Sequence, residues 1–113
     1  MRKFLLGLIA LLWMGGCSTP VTPSEVADTF LSALADGDQK KARKYASEET
    51  NKLIDIANTF GAIPQNENFV FTLVHEEVNA THATITYQSG TDVNKTLQLR
   101  LIEGKWLVDE RKQ

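Results

Sequence analysis

The sequence predicts an α+β domain in which three amphipathic helices pack on one face of a curved, four-stranded antiparallel meander. Between residues 22 and 61, apolar side chains recur at spacings of three and four. From Asn68 onward the period falls to two, and β-branched and aromatic residues dominate. Gly, Pro or Asn punctuates most changes of element, and Ser47 marks the one between the second and third helices. The 113 residues hold one domain, and a composition of 42% apolar and 23% charged residues excludes a wholly disordered chain and a multi-span membrane protein.

Residues 1–16 stand apart from that domain. Arg2 and Lys3 precede an apolar run from Phe4 to Met14 relieved only by Gly7, and Gly15-Gly16-Cys17 follows directly. As a helix, eleven residues would span roughly 16 Å, about half of a hydrocarbon core. Met14-Gly15-Gly16-Cys17 resembles the lipobox of bacterial lipoproteins, which implies cleavage between Gly16 and Cys17 and acylation of the Cys17 sulfur. Two or three acyl chains suffice for stable anchoring, because each buried methylene contributes about 0.8 kcal/mol. Residues 17–21 then form a short lipidated tether, and residues 22–113 the folded domain. Ser18, where aspartate is not found, resembles an outer-membrane sorting signal if the source is Gram-negative, so the domain is expected on that membrane, facing the periplasm. A single cysteine leaves no intrachain disulfide. Without its first 16 residues the chain has 97, with 10 basic and 14 acidic side chains and a net charge of −4, a balance that disfavours nucleic acid.

The first helix begins at Thr22-Pro23-Ser24-Glu25, where a threonine cap, a proline at the first helical position and a glutamate three residues on combine. Val26, Phe30, Ala33 and Leu34 form its stripe, and Gly37 ends it. Asp38 caps a short second helix through Ala46, in which Ala42, Tyr45 and Ala46 face inward and Lys40, Lys41, Arg43 and Lys44 form a solvated face. Ser47 caps a third helix, with Glu48 and Glu49 in its first turn. Leu53, Ile56, Ala57 and Phe60 form its stripe, and Gly61 stops it.

The strands span Phe69–Val78, Thr81–Ser89, Val93–Ile102 and Lys105–Arg111. A two-residue turn at Asn79-Ala80 sets Val74 opposite Ile85 and His82 opposite Glu77. Three loop residues, Gly90-Thr91-Asp92, place Ile85 and Leu97 on one face, and a two-residue turn at Glu103-Gly104 sets Leu101 opposite Trp106. In this register Phe69, Phe71 and Leu73 occupy the other face, which is too apolar for open solvent.

The helix order, the Gly37-Asp38 junction and the late Glu103-Gly104-Lys105-Trp106-Leu107-Val108 hairpin resemble the nuclear transport factor 2-like, or cystatin-like, fold. With the lipobox, the chain is similar to small bacterial lipoproteins carrying one such domain. The resemblance implies a conical cavity between sheet and helices, used by some relatives as an enzyme site and by others for binding or dimerisation, so fold does not settle function.

Chemistry-bearing residues are few. His75, Glu77 and His82 share one sheet face near a hairpin end, as a polar cluster at a strand end or as an acid-base or metal group, without the spacing of a recognised ligand motif. Asp55 with Asn58, or Tyr45 with Asp28, could line the cone. No phosphate loop, nucleophile elbow or zinc-ligand cluster is present, and no cofactor or catalytic residue is expected. The expectation is a lipid-anchored envelope protein that binds a ligand or protein without catalysis. The alternatives are a small isomerase or hydrolase with its site in the cone, and an assembly subunit that dimerises through the outer sheet face.

Overall fold

The computed structural model describes residues 21–110 apart from 62, 64, 67, 91 and 92, so the expectations for Gly16, Cys17 and residues 1–20 generally lie outside the described residues. Helix α1, Pro23–Ala35, opens on a complete capping box. The Thr22 hydroxyl accepts from the Glu25 N–H at 3.3 Å, and the Glu25 carboxylate accepts from the N–H groups of Thr22 and Val21 at 3.1 and 3.2 Å. These backbone bonds, from Thr22 first and Val21 second, hold the Glu25 carboxyl below its ordinary value. Gly37 closes the helix at φ 82°, with its N–H on the Leu34 carbonyl and the Asp38 N–H on the Ala33 carbonyl, both bonds of a Schellman motif.

Asp38 caps helix α2, Gln39–Arg43, by accepting from the Lys41 N–H. This helix is shorter than the pattern predicts, because Ala46 forms a parallel bridge to Val108. Val108 donates its N–H to the Tyr45 carbonyl and accepts from the Ser47 N–H, both at 2.8 Å. Ser47 then caps helix α3, Glu48–Thr59. Its buried residues are Thr50 and Ile54, with Leu53 and Ala57 half-buried, while Ile56 and Phe60 are 55% and 78% exposed. Bonds from Ser47 to Asp109 and from Thr50 to Val108 rotate α3 away from the expected stripe.

Strands β1 (Thr72–Val78), β2 (His82–Gln88), β3 (Lys95–Ile102) and β4 (Lys105–Val108) follow, paired in chain order. The pairs Ile85↔Leu97, Leu99↔Val108 and Leu101↔Trp106 match the expected register. The β1–β2 pairing does not. Its turn centres on Ala80-Thr81, because the Asn79 side chain accepts from the N–H groups of Thr81 and His82 at 2.9 and 2.8 Å and stabilises that geometry. Val78 therefore meets Ala83, and Glu77 meets Thr84 rather than His82.

A bulge between Leu73 and His75 inserts Val74 as an extra residue. It reverses the alternation, so that Leu73 pairs with Tyr87 and Phe71 stacks on the Tyr87 ring at 5.5 Å between centroids. Phe71 is thereby half-buried against the core, while Leu73 stays exposed at the sheet edge. The helices cover the sheet face that carries Ile85, Leu97, Leu99 and Val108, against which Val26 and Phe30 of α1 pack.

Leu99 is fully buried and Phe60 is largely exposed. Leu99→Ala is expected to destabilise the domain by about 2–5 kcal/mol, and Phe60→Ala to change stability by less than about 0.5 kcal/mol. Urea denaturation of the two variants checks the contrast.

Candidate functional site

Two parts of the structure concentrate polar or concave chemistry: a buried joint at the end of β4 and a groove beside the start of α1. The joint follows from the bridge at Val108, which brings the cap of α3 alongside the residues after β4. The Ser47 hydroxyl donates to Asp109 Oδ1 at 2.6 Å and accepts from the Thr50 N–H at 3.2 Å. The Thr50 hydroxyl donates to the Val108 carbonyl at 3.0 Å and accepts from the Glu110 N–H at 2.8 Å. Arg100 Nε stands 3.7 Å from Asp109 Oδ2. Ser47, Thr50 and Asp109 are all buried, and these partners compensate the cost of taking a carboxylate out of water.

Glu110 continues the inward parity of Val108 and lies half-buried. Burial raises its carboxyl above the ordinary value. A hydrogen bond from the Gln98 N–H at 3.4 Å opposes that shift, and the neighbouring Asp109 charge reinforces it. Burial also raises the Tyr87 hydroxyl, and the Glu110 charge adds to it. A carboxyl perturbed by burial within electrostatic reach of a phenol is a feature that acid-base sites share. Neither Asp109 nor Glu110 stood out in the sequence. The available clue was that alternation from Trp106 through Val108 turns residue 110 inward.

The groove has a volume of about 430 Å³ and is lined by Val21, Val26, Lys44, Tyr45 and residues 104–107. Three local devices assemble it. The capping box fixes Val21 through its bond to Glu25. The Val108 N–H holds Tyr45 beside β4. The Glu103-Gly104 turn takes positive φ at both residues, 51° and 81°, and brings Lys105 and Trp106 back along β3. Aliphatic and aromatic side chains form the walls, while Lys44 and Lys105 are exposed. Trp106 is half-buried, packing on the core with one part and lining the groove with another.

The remaining candidates are more scattered than the sequence suggested. His75 pairs with Thr86, Glu77 with Thr84 and His82 with Arg100, so the shifted turn sets Thr84 rather than His82 across from Glu77. Glu77 and His82 line a shallow, open hollow of about 320 Å³ at the hairpin, where the His82 ring lies 2.7 Å from the Thr81 hydroxyl. Among the described residues, no three His, Cys, Asp or Glu side chains stand close enough to hold a metal ion. Asp55 is exposed and pairs with Arg43, and Asn58 exchanges amide hydrogen bonds with Gln39, so neither faces a cone. Asp28 accepts from Ser32 on the outside of α1. Of these, only Tyr45 lines the groove. No helix among the described residues is long and apolar enough to cross a membrane.

No protein-family model matches the chain, and a search of curated proteins gives no match. Among solved structures, the chain is similar to a protein of Campylobacter jejuni provisionally named an NTF2-like transpeptidase. The two share 19% identity at a TM-score of 0.53, over 80% of this chain and 99% of that one. The fold is NTF2-like. In this NTF2-like domain, as in the sequence-based expectation, three helices precede a four-stranded antiparallel sheet.

Because its carboxyl is raised on folding, Glu110 contributes stability that is fully present below its unfolded pKa and is lost as pH rises through its folded pKa. Acidification through that window should therefore stabilise the wild type relative to Glu110→Gln, measured by urea midpoints across pH 3.5–7.5. Ser47→Ala removes both a helix cap and the hydroxyl donor to buried Asp109. It should cost about 1–3 kcal/mol at neutral pH, measured by the same titration.

Proposed function

We propose that the protein is a lipid-anchored component of a bacterial cell envelope whose NTF2-like domain acts by binding rather than by catalysis. The observation that carries this is the groove, whose lining begins at Val21, four residues after Cys17, and whose walls are mainly apolar. Concave sites with apolar walls and few charged groups suit ligand or partner binding. The lipobox-like Met14-Gly15-Gly16-Cys17 supplies the anchoring half of the proposal. Two or more acyl chains on Cys17 would keep the domain at the outer membrane, facing the periplasm in a Gram-negative cell.

A second reading, a small enzyme of isomerase or hydrolase type, draws on Glu110, whose carboxyl is raised by burial and whose charge acts on Tyr87. Peptidyl transfer, the activity in the neighbour's name, fits these residues less well. It needs an accessible nucleophile, whereas the Ser47 hydroxyl beside Asp109 is buried and occupied as the cap of α3. Binding without catalysis predicts no turnover of a chromogenic ester panel by the wild type. Turnover that disappears in a folded Glu110→Gln variant would establish the enzyme instead.

Anchoring has its own test. Mass spectrometry of the purified protein should show a chain that begins at an acylated Cys17, and Cys17→Ser should accumulate precursor and lose acyl labelling. A wild-type chain that begins at Met1 and remains in the soluble extract overturns the proposal.

A further inference from the structure

We propose that the groove beside the start of α1 is the face that rests on the bilayer, with Lys44 and Lys105 meeting the headgroups of anionic phospholipids and Tyr45 and Trp106 lying at the interface. This inference rests on the anchoring proposed above and adds what the groove takes.

Chain length supports it first. Four residue steps separate Cys17 from Val21, a reach of roughly 13 Å when fully extended. The polar layer on each side of a bilayer is about 5–8 Å thick, so acyl chains on Cys17 would hold Val21 within a few ångströms of the headgroups. Val21 lines the groove and is 67% exposed, which places the groove, rather than some other face, next to the anchor.

Charge supports it independently. The chain from Cys17 onward has a net charge of −4, yet the charged side chains lining the groove are two lysines. Neither lysine is held in an ion pair among the described residues. Each lysine near an anionic membrane surface strengthens association about fivefold, and a Debye length of about 8 Å puts both within range of that surface. The negative remainder of the domain is repelled by the same surface, so charge orients the body as well as attracting one side of it. Tyr45 and Trp106 complete the match, because rings with an apolar body and a polar tip concentrate at membrane interfaces.

The test uses the full chain carrying Trp13→Phe, so that Trp106 is the only tryptophan whether or not the leader is removed. The purified protein is added to vesicles of phosphatidylcholine alone, or of phosphatidylcholine with 30% phosphatidylglycerol, with and without brominated acyl chains. Trp106 emission should shift to shorter wavelength and be quenched in the anionic vesicles. Most of that quenching should be lost at 0.5 M salt and in Lys44→Glu/Lys105→Glu, while the double variant keeps its circular dichroism spectrum. Lys44→Gln/Lys105→Gln should fall between it and the parent chain.

Quenching that is equal in both vesicle types and unchanged in the double variant overturns the inference. So does an emission shift in detergent solution that grows with protein concentration, because the groove would then be covered by a second copy. Anchoring is read separately, from the acyl mass and from flotation with vesicles. Loss of the acyl mass therefore refutes the anchor, whereas loss of charge-dependent quenching in an acylated, floating protein refutes the groove alone.

Discussion

Val108 must satisfy its backbone on the side away from β3, and the chain between α2 and α3 is what satisfies it. The residue is fully buried, and its N–H and carbonyl bond to Tyr45 and Ser47. Leaving either group unpaired there would cost about 1–3 kcal/mol, more than the few residues of helix gained by continuing α2 through Ala46. The short α2, the position of Ser47 as a cap, the rotation of α3 and the location of Tyr45 at the groove all follow from that requirement. The same junction hides Asp109, whose hydroxyl partner is the cap itself. One side chain thus serves helix initiation and carboxylate solvation together.

Features set by local chemistry were legible in the sequence. Thr22 and Glu25 give the first cap, Gly37 and Asp38 give a stop followed by a start, and the Glu103-Gly104 turn fixes the last hairpin. Each depends on residues within a few positions of one another. The register of β2 against β3 was equally readable, since an odd loop was needed to keep Ile85 and Leu97 on one face.

Features set by distant partners were not. The α3 stripe predicted Ile56 and Phe60 inside, because apolar spacing alone does not reveal that the hydroxyls of its cap and of its first turn are claimed by Asp109 and Val108. The β1–β2 turn moved by one position because the Asn79 side chain bonds two backbone N–H groups beyond it, which shifts the partners of His75 to Val78 by two, a shift the bulge reduces to one at Leu73 and Thr72. That shift moved His82 from directly opposite Glu77 to a diagonal position, with both at the same hollow. The carboxylates at 109 and 110 read as the polar end of a strand, and their burial depends on a bridge between residues 46 and 108. Of the candidate polar residues, Tyr45 reached the groove beside α1, and it did so through its backbone rather than its spacing on a helix.

The bulge at Val74 has a consequence for solubility. β1 forms the outer margin of the sheet, and Leu73, Val74 and Val78 are exposed along it. A regular strand with such side chains offers an even comb of donors and acceptors on which an incoming chain could crystallise. The additional residue breaks the spacing of that comb part-way along, while turning the Phe71 ring inward onto Tyr87. A single insertion in the pleat therefore interrupts a template for fibrous growth and tucks away one ring from that edge.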